Sequence, residues 1–326
     1  MRALGLRRSL YLLTAFLIVL LWFFQYCYPG HVERGYIKQR SQEHELIQVL
    51  RRASMPDRTV ILTMVDESRA SPGSLLEVLL QSFKSGEGTQ RFLNHLVIIT
   101  MDPQAFKYCR TLHPHCIHPS TFEAYFSPMR QSTTKPYQNA FSWRRNNVLL
   151  EVLDLGYNII FTDVDVLWLR SPLSNFNPAY ELSISCTLSS EGQREGYPRG
   201  GGIFFLKANA IAIEFFKYWK FIKVLYPNSD VEESLCRTII ESQDVTNVLG
   251  FRVQPVNTTY FGGFCQLNQD MLRDAYTIHA NCCDDLTSKV HDLRIVLDDW
   301  IRFRKRVSGD NASDEMALRW PQKCPR

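Results

Sequence analysis

The segment Ile159-Ile160-Phe161-Thr162-Asp163-Val164-Asp165 places two carboxylates one residue apart at the end of an apolar run. Side chains at i and i+2 of an extended segment point the same way. Asp163 and Asp165 are therefore expected to face one point just beyond a buried strand. Two carboxylates held that way repel each other and have raised pKa values unless a cation occupies the site. Oxygen ligands suit Mg2+ or Mn2+. Such a cation, with coordination positions left open, binds a diphosphate and neutralises the charge that grows on it as it departs.

Chemistry of that kind needs a rigid strand under the acids and a layer of helices around it. Immediately before the pair, RRNNVLLEVLDL has the spacing of a helix and is stopped by Gly156, and YNIIFTDVDVLWL follows as a buried strand. Upstream, TVILTMVD reads as a strand, SLLEVLLQSF as a helix, LNHLVIITMD as a strand and QAFKYCRTL as a helix. This alternation predicts an α/β fold with a mostly parallel sheet flanked by helices, and ligand sites at the carboxyl ends of its strands. The aromatic stripe of IAIEFFKYWKFI reads as a helix packed on the core and carries no chemistry. With no Gly/Ser-rich linker, residues 59–307 are expected to form one domain and 308–326 a tail.

The chain has 326 residues, of which 45% are hydrophobic and 21% charged, with 16 Gly and 15 Pro. Those proportions exclude a disordered chain, a collagen and a disulfide-dense miniprotein. Net charge is +4, and three of the positive charges (Arg2, Arg7 and Arg8) precede the first acid. The rest is nearly neutral, which argues against a protein that coats a nucleic-acid polymer by bulk charge. Residues 9–30 carry no charge and are dense in Leu, Ile, Val and aromatics. About 20 such residues span the hydrocarbon layer. The arginines before them predict a cytosolic tail (1–8), a single signal anchor (9–30) and a luminal body held off the membrane by a polar stem (31–58). A cleaved signal peptide is the alternative, disfavoured by the length of the apolar run. Asn257-Thr-Thr and Asn311-Ala-Ser are glycosylation sequons, and nine cysteines suit an oxidising lumen. Adjacent Cys282 and Cys283 are expected to join separate disulfides rather than a metal site.

RRNNVLLEVLDLGYNIIFTDVDVLWLRSPL resembles the core of plant-type nucleotide-sugar transferases of glycosyltransferase family 77, which are related to retaining family 8. TVILTMVDESRASPGSLLEVLLQSF, YPRGGGIFFLKAN, ESQDVTNVL and IHANCCDDLTSKVHDLRIVLDDW extend the resemblance, in the family's order, from about Thr59 to Arg302. It implies a GT-A fold with a Rossmann-type sheet. It also implies that Asp163 and Asp165 bind metal, with Asp163 also touching the donor, and that His279 is a third metal ligand. An imidazole in the set favours Mn2+ over Mg2+. By the same resemblance Lys289 reaches the diphosphate, Arg145 (or Arg144) touches the donor, and Gly201, in the run Gly200-Gly201-Gly202, lies beside the donor sugar. Gln243 and Asp244 match a Gln-Asp pair near the anomeric carbon, with Gln243 stabilising an oxocarbenium-like centre or positioning the acceptor and Asp244 contacting sugar hydroxyls. Ser242 stands where the related enzymes commonly carry an acid.

The function so implied is a Golgi-type, type II membrane glycosyltransferase. It would move a sugar from a nucleotide-diphosphate donor, UDP-linked by expectation, to a hydroxyl of a cell-wall polysaccharide or glycoprotein with retained configuration. Two rival readings remain. In phosphatases of the haloacid dehalogenase type Asp163 would be the nucleophile and Asp165 the acid/base, with Lys207 and Asp284-Asp285 as the remaining parts. Alternatively the chain keeps the fold as a luminal sugar-nucleotide-binding subunit without turnover.

Overall fold

The computed structural model describes residues 45–118, 136–187, 199–225, 243–264, 271–281, 285–307 and 321–324, with Leu17, Ile18, Leu235, Ile239, Cys283 and Arg319 besides. The expected anchor, apart from Leu17 and Ile18, lies outside the described residues, as do Ser242, Cys282 and Asn311. Among the described residues no helix is long and apolar enough to cross a membrane.

A seven-stranded sheet forms the centre, in the order β3-β2-β1-β4-β7-β6-β8. Its strands are β1 (Thr59–Val65), β2 (Leu96–Thr100), β3 (Cys116–Ile117), β4 (Asn158–Thr162), β6 (Leu182–Thr187), β7 (Arg199–Leu206) and β8 (Val253–Pro255). From β3 through β4 the pairing is parallel, and β7 then runs antiparallel to both β4 and β6. A second sheet has the order β5-β10-β9, made of β5 (Val166–Trp168), β9 (Phe261–Gly263) and β10 (Thr277–His279).

The TVILTMV run of β1 is buried at every position, as a central strand covered on both faces must be. Its side chains divide by the two-residue period. Ile61 and Val65 join one apolar cluster, and Val60, Leu62 and Met64 join the other. On the first face lie α2 (Leu75–Ser85), the second sheet and α8 (Leu286–Val307). On the second lie α1 (residues 45–53), α4 (Pro136–Asp154) and α5 (Ala210–Leu225). The short helix α3 (Pro103–Leu112) starts on Asp102, whose carboxylate accepts the Ala105 N–H at 2.7 Å, with Pro103 in the first turn. Two further short helices are α6 (Gln243–Leu249) and α7 (Met271–Asp274).

The body extends beyond the expected boundaries at both ends. Leu46, Val49, Leu50 and Ala53 of α1 are buried against the second face, so this part of the expected stem belongs to the core. At the other end, Cys324 is disulfide-bonded to Cys283, and Asp299 on α8 accepts the N–H of Arg319 at 2.7 Å. The end of the expected tail is thus fastened to the body. A second disulfide joins Cys109 at the end of α3 to Cys116 in β3.

The turn from α4 into β4 is set by Gly156, whose φ of 77° is the left-handed geometry that glycine adopts without strain. Arg58 donates to the carbonyls of Gly156 and Leu155 at 2.9 and 2.8 Å, and its guanidinium lies over the Tyr157 ring. This clamp fixes where β4 begins.

Candidate active site

β4 stops at Thr162, and Asp163, Val164 and Asp165 form a turn into β5 rather than the extended segment expected from their spacing. Long-range pairing causes the bend. The Asp163 N–H donates to the Gly202 carbonyl of β7 at 2.7 Å, while the Asp165 carbonyl accepts the Ala280 N–H, just past β10, at 3.0 Å. The two acids are therefore held between strands of different sheets. Trp168 anchors the far side of the turn. It is fully buried, stacks on Phe83 with centroids 4.5 Å apart, and donates its indole N–H to Thr162 Oγ1 at 3.0 Å.

The carboxylates converge as expected, on a partner from far along the chain. His279 Nε2 lies 3.3 Å from Asp165 Oδ1 and 3.9 Å from Asp163 Oδ2. One ligand atom from each of the three residues falls within 4.8 Å of the others. Two carboxylates and an imidazole so grouped are a donor set that could hold a divalent metal ion. Lys289 Nζ donates to the other oxygen of Asp165, Oδ2, at 2.6 Å.

The electrostatics follow from this crowding. Burial pushes the Asp163 carboxyl up, and it remains raised despite the opposing pull of His279. Burial acts the same way on Asp165, but the His279 ring and Lys289 outweigh it and hold that carboxyl well below the usual range. For His279 burial is again the largest influence and would lower its pKa; Asp165 and Asp163 together overcome it and raise it. The His279 ring and the Lys289 ammonium are thus the groups that offset the burial of Asp165. Burial lowers the pKa of Arg145 against the pull of Asp163, and its guanidinium sits over the Phe161 ring at 5.6 Å.

Of the triple glycine, Gly202 in β7 packs directly against the cluster. Its φ is 70°, and a Cβ there would come within 2.6 Å of Val166 Cγ2 and 2.8 Å of the His279 ring. Only a residue without a side chain lets β7 approach β10 this closely. Which glycine of the run packs on His279 depends on the β4–β7 register, which no local pattern carries.

Gln243 and Asp244 open α6 with both side chains exposed, outside the acid–imidazole group. Asn257 is exposed, and its Oδ1 accepts the Thr259 N–H at 2.8 Å. The phosphatase reading fails on topology. β7 is antiparallel to β4, with Leu206 opposite Ile159, so Lys207 lies at the opposite end of β4 from Asp163. There its ammonium donates to the Pro178 carbonyl at 2.8 Å.

Comparison with known proteins decides the family: the model of nucleotide-diphospho-sugar transferases matches residues 91–293. The chain belongs to that family. An uncharacterised Arabidopsis thaliana protein is 32% identical to this transferase over 284 residues, covering 86% of this chain and 73% of that protein. The UDP-galactose:fucoside alpha-3-galactosyltransferase of Dictyostelium discoideum is 23% identical over 198 residues, covering 52% of this chain and 30% of that protein. Among solved structures, a glycosyltransferase involved in the glycosylation of the major capsid of PBCV-1 aligns with a TM-score of 0.43 at 12% identity. That alignment covers 72% of this chain and 98% of the other. This transferase is a nucleotide-sugar-dependent glycosyltransferase, with its acid–imidazole cluster at the carboxyl end of β4.

Proposed function

We propose that this transferase moves a sugar from a UDP-linked donor to a hydroxyl of a cell-wall polysaccharide or glycoprotein, with retention, on a GT-A-type fold. The observation that carries the reading is the convergence of Asp163, Asp165 and His279, inside a chain of this family. The Dictyostelium relative, whose name specifies UDP-galactose and a fucoside, supports the UDP donor and a sugar hydroxyl as acceptor.

Asp163, Asp165 and His279 hold Mn2+ in this reading. When bound, the ion supplies Lewis-acid stabilisation of the diphosphate leaving group. Lys289, beside Asp165, reaches the same phosphates and adds a second positive charge where negative charge grows. Arg145, above Phe161, contacts the donor, and Gly201 lies along its sugar. Gln243 faces the anomeric carbon and Asp244 the donor-sugar hydroxyls. The acceptor oxygen bonds to the anomeric carbon as the bond from that carbon to the diphosphate breaks. The acceptor's proton passes to the departing diphosphate. We place the reaction in the Golgi lumen, with residues 9–30 as a type II anchor and Asn257 and Asn311 as glycosylation sites.

The test is release of UDP by purified protein from a panel of UDP-sugars with and without Mn2+, alongside calorimetric UDP binding. Mn2+-dependent binding and turnover of at least one donor are expected. Binding without turnover of any donor, acceptors included, would instead favour a sugar-nucleotide-binding subunit. Absence of Mn2+-dependent UDP binding would overturn the proposal.

A further inference from the structure

We infer that Asp292 is a positioning residue for Lys289, and that the C-terminal segment it grips belongs to the frame of the donor site. The inference rests on the donor-site reading above. Asp292 follows Lys289 by three residues on α8, close to one turn, and is fully buried. Its Oδ1 accepts the Gln322 N–H at 3.0 Å and meets His291 Nδ1 at 2.8 Å. Its Oδ2 accepts the N–H groups of Lys323 and Cys324 at 2.9 and 2.8 Å. Three consecutive amides turned onto one carboxylate form an anion cradle. The same segment is bonded covalently to Cys283, four residues after His279.

The position of this clasp along α8 gives it its consequence. Core packing of the helix rests on Leu293, Val296, Leu297 and Trp300. Its later turns are also tied to α2, through Trp300 Nε1 and Arg304 donating to the Ser85 carbonyl at 3.2 and 2.9 Å. Residues 285–291, which carry Lys289, are exposed or only half-buried. Leu286 and Val290 reach only the edge of the core, and the polar anchors of the turn are the Asp285 carboxylate accepting the Ser288 N–H at 2.7 Å, the Lys289 bridge itself, and the clasp at Asp292. A buried carboxylate deprived of its amides is strongly unfavourable, so loss of the clasp loosens the turn that aims the ammonium. Lys289 can serve a phosphate only while that turn stays in place.

The experiment is a thermodynamic cycle on UDP binding in Mn2+. Asp292→Asn, which keeps the shape and removes the charge, is expected to raise Kd about tenfold, the scale of one lost charge-assisted contact. In a Lys289→Ala background the same change is expected to add nothing further, because both act through one ammonium. Glu181→Gln is the control. It disturbs another buried carboxylate, which binds Arg252 away from α8 and the C-terminal segment, and should leave Kd unchanged. If Asp292→Asn folds poorly, Cys283→Ser with Cys324→Ser opens the same clasp from its other end. Amide exchange reads the device without ligand: residues 286–291 should exchange faster in Asp292→Asn while 296–304 stay protected. Unchanged Kd, a full effect persisting without Lys289, an equal effect of Glu181→Gln, or unaltered exchange would each overturn the inference. Failure of the wild type to bind UDP in Mn2+ would overturn the donor-site reading instead, leaving the exchange result to judge the clasp.

Discussion

Lys289 and Asp165, 124 residues apart in the chain, meet at 2.6 Å, and His279 occupies the other oxygen of the same carboxylate. Asp165 is thus the hub of the cluster. Asp165→Ala is expected to abolish Mn2+-dependent UDP binding while circular dichroism remains that of the folded protein. Retention of wild-type UDP affinity in that variant would refute the site.

Two glycines in the left-handed region separate backbone cost from collision. Gly88 has φ 68° with nothing within 4 Å of an added Cβ, whereas at Gly202 the same atom would strike Val166 and His279. Gly88→Ala should lose about 1 kcal/mol in urea unfolding, the cost of left-handed backbone alone. Gly202→Ala should lose about 3 kcal/mol or more and weaken Mn2+ binding, because overpacking adds to that cost. Equal losses in the two variants would contradict the close approach of β7 to β10.

Two disulfides among the described residues close loops of different size, with separations of 7 residues for Cys109–Cys116 and 41 for Cys283–Cys324. Loop-closure entropy then predicts losses of about 2.5 and about 4 kcal/mol for the respective Cys→Ser variants. Urea titration of each variant checks the order, and a larger loss at Cys109–Cys116 would reverse it.

Burial tends to raise the Asp292 carboxyl, but the His291 contact and the three amides outweigh it and lower its pKa from the ordinary value of 3.8. A carboxyl lowered by folding contributes stability above its unfolded pKa, and that contribution is lost as pH falls through the folded value. The melting temperature of the wild type should therefore fall more steeply below about pH 4 than that of Asp292→Asn. Parallel curves for the two proteins would show that the clasp carries no such linkage.

Much of the architecture is written in local pattern. The strands β1, β2 and β4 and the helices between them follow from apolar runs and period, because each must bury the face its sequence displays. Asp163 and Asp165 stand out for the same reason, as acids directly after a buried run. The motif around His279 and Lys289 was legible through resemblance alone, since nothing near either residue names its partner. What escaped local reading depends on distant pairing. The turn at 163–165 bends because β7 and β10 claim its backbone, and that Gly202 packs on His279 is a matter of register. Residues 45–53 read as stem because a short amphipathic stretch does not declare the surface it will cover. Asp292 is one acid among several on a charged helix, and its partners lie about thirty residues downstream.

The placement of β1 bears on how the molecule can be dissected. β1 lies between β2 and β4, yet it precedes residue 91, where the family match begins. Excising 91–293 for expression would leave a slot through the middle of the sheet, with two strand edges bared and apolar side chains stripped on both faces. Such a fragment should be recovered as insoluble material, and the smallest soluble unit should reach back through the helix at 45–53.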